Sequence, residues 1–165
     1  GIAARRITVS TCGVTPGLER FQNLGLQVNL SVSFHAAGQE LRSRLLPISR
    51  KYPLPELVRA LASYVRKTGR RPTLEYILVD GVNDSSAEAR RLAQVARQIR
   101  AKVNLIPLSP IFGLDFAPTP EAQQELFRKI LEDRGVSVML RRSKGADIQA
   151  ACGQLAGKKK GDLKK

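Results

Sequence analysis

A single cysteine near the end of the chain lies among small residues and follows a basic segment. Cys152 is part of the run Asp-Ile-Gln-Ala-Ala-Cys-Gly-Gln-Leu at 147–155. The basic residues that precede this run are Arg141, Arg142 and Lys144. A cysteine is nucleophilic only as its thiolate, which nearby cations favour, and small neighbours leave space for a bulky reactant. The same surroundings are also typical of an inert, buried thiol. The choice between a reactive and an inert cysteine therefore depends on the rest of the sequence.

Polar residues end four segments that are rich in β-branched and apolar side chains. The segments are 7–11, 28–34, 74–79 and 103–107, and each is predicted to be a strand. The polar residues at or just beyond their ends are Ser10, Thr11, Ser33, His35, Asp80, Asn83 and Ser109. In βα barrels, groups that bind ligands gather at the carboxyl ends of the strands. The pattern therefore predicts one shared site for a small polar ligand, although each residue alone is more typical of loop hydrogen bonding or helix capping.

Helical patterns separate these strands. Helices are predicted from Thr15-Pro16, around Leu41 and Leu45, from Pro55, from the Ser85–Glu88 capping box, and from Thr119-Pro120, with a fifth strand at 136–140. Such alternation indicates parallel strands joined by crossovers, in either a doubly wound sheet or a βα barrel. No Gly-x-Gly-x-x-Gly follows a strand, which weakens the dinucleotide-binding interpretation. Five strands are too few for a closed eight-stranded barrel.

The size and composition of the chain fit one α/β domain. It has 165 residues, of which 42% are apolar. Its two cysteines do not form a disulfide framework, and no apolar stretch is long enough to cross a bilayer. We therefore expect a cytoplasmic protein that has no membrane partner.

The chain is strongly basic. It carries 28 Lys and Arg against 14 Asp and Glu, a net charge of +14. The Lys-rich tail at 158–165 contributes only +4 of this, so most of the excess belongs to the body. A surplus of this kind favours a polyanionic partner such as RNA or DNA, and a solvated basic surface is the alternative. The eight aromatic residues do not form the cluster on which an RRM-type domain stacks bases.

Five motifs in one order carry a family resemblance. They are Val-Ser-Thr-Cys-Gly at 9–13, Ser-Val-Ser-Phe-His-Ala at 31–36, Glu-Tyr-Ile-Leu-Val-Asp-Gly-Val-Asn-Asp at 75–84, Asn-Leu-Ile-Pro at 104–107, and the 147–155 run. Together they resemble the C-terminal half of the radical S-adenosylmethionine RNA methyltransferases, in particular the dual-specificity enzymes that methylate adenine C2 in 23S ribosomal and transfer RNA. The resemblance extends from about residue 5 to 157, and Ala-Cys-Gly-Gln-Leu is its most specific part.

This resemblance implies a fold, two cofactors and a reaction. The fold is α/β, a partial six-stranded (β/α) barrel that binds S-adenosylmethionine and a 4Fe–4S cluster. Cys152 matches the cysteine that accepts a methyl group from one S-adenosylmethionine. A radical made from a second S-adenosylmethionine then activates this methyl group, which adds to adenine C2. Ordinary polar methyl transfer fails at C2 because this carbon is electron-poor and not acidic. The target base would have to leave its stack to reach the site.

The resemblance also implies which residues contact S-adenosylmethionine. Ser10, Ser33, Phe34 and His35 match contact positions. Ser109 occupies a position that is usually asparagine, so an amide donor is lost there. The family's Cys-x-x-x-Cys-x-x-Cys cluster loop does not occur in this chain, which has only Cys12 and Cys152 and therefore no expected metal ligands. Cys12 matches no catalytic cysteine of the family.

We therefore expect residues 1–157 to form the C-terminal half of a barrel, followed by a disordered basic tail at 158–165. Two features of the family are absent from the sequence: a Gly-Glu segment on the second strand of the barrel, and the N-terminal domain that helps to bind RNA. An N-terminal half or another chain would complete the barrel, and the chain alone would be inactive. Three alternatives remain open: an adenine-C8 methyltransferase, a non-catalytic RNA-binding module, and a phosphate-binding half barrel unrelated to radical chemistry.

Overall fold

A computed structural model describes residues 1–109 and 116–141, and these residues form one parallel sheet with helices. The strands are β1 (Thr8–Thr11), β2 (Asn29–Ser33), β3 (Thr73–Leu78), β4 (Lys102–Pro107) and β5 (Val138–Leu140). The helices are α1 (Thr15–Phe21), α2 (Gln39–Leu45), α3 (Leu54–Thr68), α4 (Ser86–Gln98) and α5 (Glu121–Glu132), with short 3-10 helices at Ala4–Arg6 and Pro47–Arg50. Cys152 and the tail lie outside the described residues.

The order of the strands is the feature that distinguishes a barrel wall from a doubly wound sheet. The strands lie in the order β1-β2-β3-β4-β5, and each pairs in parallel with the next strand along the chain. In a doubly wound sheet, the order in which successive strands are added reverses at a switch point. No such reversal of strand order occurs among these five strands. Connections between neighbouring parallel strands are almost always right-handed, so connections that all run in the same order place the helices on a single face of the sheet. The predicted α/β half barrel is therefore confirmed.

The two faces of the sheet differ in chemistry. Alternate side chains on the helix-covered face are apolar and buried: Leu30, Val32, Leu74, Tyr76, Leu78, Val103 and Leu105. They pack against buried residues of the helices, among them Leu57, Leu61, Leu92, Phe127 and Leu131. Full burial stabilises each such side chain by roughly 1.5–3 kcal/mol. Because this apolar face is covered by the helices, the chain leaves its polar residues on the opposite, open face.

Local sequence signals account for where the elements begin. Ser85 caps α4 by accepting a hydrogen bond from the Glu88 backbone N–H at 3.2 Å, as predicted. The Glu88 carboxylate does not complete the capping box, because it accepts from the Ala37 backbone N–H at 3.0 Å and from Arg91. Helix α2 also differs from the expectation, because the residue that it buries is Arg42 and not one of its two leucines. Both differences arise from tertiary contacts that the local pattern does not contain.

The outer edge of β1 is unpaired within the part of the chain that the structure describes. Exposed apolar side chains lie in β1, in the segment before it, and in the loop between α1 and β2: Ile2, Ile7, Val9, Leu24 and Leu26. An unpaired sheet edge of this kind is what an incomplete barrel leaves open. No helix among the described residues has both the length and the hydropathy needed for a membrane span.

Candidate functional site

All five residues predicted to contact S-adenosylmethionine lie at the carboxyl ends of the strands, here called the carboxyl edge, and four of them have side chains outside the core. Ser10 lies exposed in β1, opposite Ser31 of β2. Ser33 is the half-buried last residue of β2, and His35 follows it by two residues. Ser109 lies two residues beyond β4 and is also half-buried. The parallel sheet therefore brings the ends of β1, β2 and β4 to one edge, as predicted.

Phe34 differs from these four residues. Its side chain is fully buried and belongs to the apolar core. Its backbone N–H donates to the Glu75 carbonyl at 2.9 Å, and its carbonyl accepts from the Ala36 N–H at 2.7 Å. A ligand contact at this position would therefore involve backbone atoms, and the ring serves the fold.

His35 is held in one orientation and one protonation state. Its backbone has a positive φ of 55°, which is uncommon for a residue other than glycine. Its Nδ1 accepts a hydrogen bond from the Ile77 backbone N–H at 3.1 Å, so the proton of the neutral ring lies on Nε2. Burial, and secondarily the charge of Arg42, lowers the pKa of His35 to about 4. At neutral pH His35 therefore presents an uncharged Nε2–H donor.

Asn83 fixes the backbone around His35. Its Nδ2 donates to the carbonyls of His35 at 2.8 Å and Ile77 at 2.7 Å, and its Oδ1 accepts from the Val79 N–H at 2.8 Å. The Tyr76 hydroxyl in turn donates to the Asn83 carbonyl at 2.8 Å. The sequence grouped Asn83 with the ligand-binding residues, but both of its amide hydrogens bond the backbone. Asn83 is therefore a positioning residue for His35.

Arg42 is a buried residue that links the carboxyl ends of β1 and β2 through hydrogen bonds. Its side chain is 0% exposed, and its Nη2 donates to the carbonyls of Cys12 at 3.0 Å and Ser33 at 3.1 Å. The guanidinium carbon lies 5.8 Å from the centre of the Phe34 ring. Burial lowers the pKa of Arg42, an effect that nearby Cys12 partly opposes. No sequence pattern marked this arginine, because its burial depends on residues from two other segments, at Cys12 and at Ser33-Phe34.

A row of polar side chains crosses the open face just below the carboxyl edge. Glu75 of β3 accepts from the Ser31 hydroxyl at 2.6 Å and from Asn104 Nδ2 at 2.7 Å. The Oδ1 atom of Asn104 is buried and has no hydrogen-bond donor among the described residues. An acceptor of this kind needs a donor from water or from a ligand. The available sequence signal was a glutamate that alternates with the apolar Leu74 and Tyr76 in a strand.

The described residues can be tested against the two cofactors that the resemblance implies. A 4Fe–4S cluster needs several thiolates, but Cys12 is the one cysteine in the described ranges, and no group of three metal-binding side chains occurs there. These residues therefore do not fit a cluster. They do fit the nucleoside and amino-acid groups of S-adenosylmethionine, because hydroxyls, a neutral imidazole N–H and the orphaned Asn104 oxygen can pair with hydroxyl and amine groups.

Comparison with solved structures identifies the class of protein. A radical SAM methyltransferase from Sphaerobacter thermophilus matches with a TM-score of 0.89 and 48% identity, covering 93% of this chain and 45% of that one. A domain of the pyruvate-formate lyase-activating enzyme from Bacteroides vulgatus matches with a TM-score of 0.63 at 13% identity, over 82% of this chain, and shows only that the fold is shared. The half barrel is thus similar to part of a radical SAM methyltransferase.

Comparison with curated proteins identifies the family. Proteins named probable dual-specificity RNA methyltransferase RlmN are 47% identical over 159 residues in Halalkalibacterium halodurans and 48% identical over 155 residues in Moorella thermoacetica. These matches cover 96% and 94% of this chain but 44% of each relative. No protein-family model matches the chain. The chain belongs to the RlmN family of radical SAM methyltransferases and corresponds to the C-terminal portion of these longer proteins.

Proposed function

We propose that this chain is the cofactor-binding and methyl-carrying part of a dual-specificity RNA methyltransferase that acts on adenine C2 in 23S ribosomal and transfer RNA. The observation that carries the proposal is 47% identity to proteins of that name over 96% of the chain. The whole reaction belongs to a longer protein, because the chain spans less than half the length of those relatives. We place this activity in the cytoplasm.

The carboxyl edge binds S-adenosylmethionine in this proposal. When bound, S-adenosylmethionine provides the methyl group and the precursor of the radical. Ser10, Ser33 and Ser109 offer hydroxyls, and His35 donates from Nε2. Because its pKa is lowered to about 4, His35 stays uncharged at neutral pH and does not repel the positively charged sulfonium. Arg42 and Asn83 hold the backbone that carries Ser33 and His35.

Cys152 accepts the methyl group through its sulfur in this proposal. The thiolate is the reactive form, and the preceding Arg141, Arg142 and Lys144 favour it. Since the described residues do not fit a 4Fe–4S cluster, the cluster must come from an N-terminal portion or another chain. The chain alone is therefore expected to bind S-adenosylmethionine without methylating RNA.

A chimera tests the proposal directly. This chain replaces the matching segment of the Sphaerobacter thermophilus methyltransferase, to which it is 48% identical. Mass spectrometry of the reconstituted chimera should find one added methyl group on the peptide that contains Cys152. Digested RNA should contain 2-methyladenine, whereas 8-methyladenine would identify the C8 relative. Cys152→Ala should abolish both signals.

Cys12→Ala is the matched control, because it removes the other cysteine, whose backbone carbonyl but not thiol binds Arg42. It should retain RNA methylation. An unmodified Cys152 in an active chimera, with activity surviving Cys152→Ala, would overturn the catalytic assignment. Salt-dependent RNA binding without S-adenosylmethionine binding would instead support the non-catalytic RNA-binding module.

A further inference from the structure

Basic residues gather at the amino ends of the strands, here called the amino edge, opposite the candidate cofactor site. Every described strand except β2 begins within a few residues of an arginine. These arginines are Arg5 and Arg6 before β1, Arg70 and Arg71 before β3, Arg100 before β4, and Arg134 before β5. The proposed cofactor chemistry at the carboxyl edge uses none of them.

Three arginines at this edge share a pocket. It has a volume of about 230 Å³ and is lined by Arg71, Ala96, Arg97, Arg100, Ala101, Gly135 and Val136. This lining is here called the arginine pocket, and none of the described residues that form it carries a carboxylate. Arg71 Nε donates to the Arg100 carbonyl at 2.9 Å, which fixes one guanidinium at the pocket wall. The ion pairs found among the described residues involve Arg91 and Arg128 instead.

The backbone at Arg100 is a second, independent observation. α4 ends in a Schellman motif, in which the Arg100 N–H bonds the Arg97 carbonyl and the Ala101 N–H bonds the Ala96 carbonyl. Arg100 takes the left-handed position of this motif, with a φ of 51°. α5 ends in the same motif, but Gly135 takes that position with a φ of 74°. The chain thus has the favoured glycine at one helix end and an unfavoured arginine at the other.

Arginines near helix ends have a simpler role, which is to offset the partial negative charge of the C-terminal carbonyls. Arg97 lies in the last turn of α4 and fits that role. Arg100 need not adopt a left-handed conformation for it, since a side chain one turn earlier reaches the same carbonyls. A residue held in a disfavoured conformation points to a function that offsets the lost stability.

We propose that the arginine pocket binds a phosphodiester group of the RNA substrate. This proposal rests on the function proposed above and locates an RNA contact at the end of the half barrel opposite the reacting base. Guanidinium groups match phosphate oxygens with two parallel hydrogen bonds. A net charge of +14 favours a polyanion, and so do the described residues of the pocket lining, which include three arginines and no carboxylate. Substrates as large as ribosomal and transfer RNA extend well beyond one flipped base and can contact both edges.

The test separates binding from folding with a substitution that should affect them in opposite directions. Arg100→Gly removes a charge and relieves the left-handed backbone. It should raise the Tm by about 2 °C while weakening binding of a fluorescein-labelled RNA hairpin about fivefold, as measured by anisotropy. The double variant Arg71→Gln/Arg97→Gln should weaken binding at least tenfold and reduce the slope of log affinity against log salt by about 2.

Arg128→Gln is the matched control, because it also removes one positive charge but lies on α5, where Arg128 pairs with Glu125 and Glu132. It should bind the hairpin within about twofold of the unmodified chain. The proposal is overturned if the arginine-pocket variants bind like Arg128→Gln, if Arg100→Gly lowers the Tm, or if the unmodified chain does not bind the hairpin.

A second arm uses polyglutamate as the competitor. If polyglutamate displaces the hairpin as well as unlabelled RNA does at equal charge, the pocket accepts an acidic protein segment and the RNA assignment fails. The proposed methyl-carrying function is judged separately by the modification of Cys152 in the chimera. A methylated Cys152 together with unaffected hairpin binding by the pocket variants would refute the phosphodiester proposal and leave the methyl-carrying function supported.

Discussion

The side chain of Asn83 donates a hydrogen bond to the backbone carbonyl of His35 at 2.8 Å and so ties the loop after β3 to the end of β2. His35 in turn accepts, through Nδ1, from the backbone N–H of Ile77 in β3. The two contacts leave the imidazole one orientation relative to the carboxyl edge. The geometry of the candidate site therefore depends on a residue that has no free amide hydrogen for a ligand.

Asn83→Ala should destabilise the chain strongly. The substitution removes three hydrogen bonds at a fully buried position and leaves the Val79 N–H and the carbonyls of His35 and Ile77 unpaired. The free energy of unfolding, measured in urea, should fall by about 2–4 kcal/mol. Asn23→Ala, at an exposed position, is the control and should change it by less than about 0.5 kcal/mol. Equal effects of the two substitutions would contradict this account.

His35 should titrate near pH 4. The chain has one histidine, so its imidazole gives a single set of ring proton signals by NMR. Burial is the larger cause of the lowered pKa and Arg42 the smaller. Arg42→Met should therefore raise the pKa while leaving it below the usual value of about 6.5. A midpoint at or above about 6.5 in the unmodified chain would show that His35 is solvated.

The same shift makes stability depend on pH in a predictable direction. The folded pKa, about 4, lies below the unfolded value of 6.5, so the unfolded chain binds more protons between these two pH values. The contribution of His35 is complete above the unfolded pKa and falls as pH drops from 6.5 towards 4, by about 3 kcal/mol at most. His35→Gln should remove this component, seen as the difference between the two proteins in urea unfolding across that range. Identical pH dependence of the two proteins would contradict it.

The sequence predicted the strands and helices because their signals are local. Alternating apolar residues define β3, and Ser85 caps α4 from within four residues. The positions of Ser10, Ser33 and Ser109 at one edge followed from parallel strands alone. A resemblance of five motifs predicted the family, which the comparisons with known proteins confirmed.

The remaining features depend on tertiary contacts. Residue type placed Asn83 among the ligand-binding groups, although its amide bonds the backbone of two strand ends. The burial of Arg42 in a short helix with two leucines could not be predicted, because its acceptors are backbone carbonyls of residues 12 and 33. Cys152, the residue with the most specific motif, lies outside the described residues, so its role remains a prediction.

Gly13 should not tolerate a side chain. It has a φ of 103°, and an added Cβ would lie 3.0 Å from Leu57 Cδ2 and 3.2 Å from Arg42 Nη2. Gly13→Ala should reduce the free energy of unfolding by about 2–3 kcal/mol, because both backbone strain and crowding oppose it. Gly17→Ala is the matched control within α1, where the nearest atom would be 3.8 Å away. It should stabilise the chain by about 0.5–1 kcal/mol, and a loss equal to that of Gly13→Ala would refute the distinction.

Glu75 should be coupled to Asn104. Glu75→Ala leaves the Ser31 hydroxyl and Asn104 Nδ2 without their acceptor and should lower the free energy of unfolding by about 1–3 kcal/mol. Glu40→Ala, at an exposed site on α2, should change it by less than about 0.5 kcal/mol.

A double-mutant cycle with Asn104→Ala isolates the shared contact, because each single variant removes the same hydrogen bond. It should give a coupling of at least about 0.5 kcal/mol in urea unfolding. If the row also forms the floor of the proposed S-adenosylmethionine site, calorimetry should find that Asn104→Ala binds S-adenosylmethionine several-fold more weakly, since its buried Oδ1 awaits a donor. Coupling without loss of affinity would show that the row serves only the fold, and additive effects of the two substitutions would show that the contact is not formed in solution.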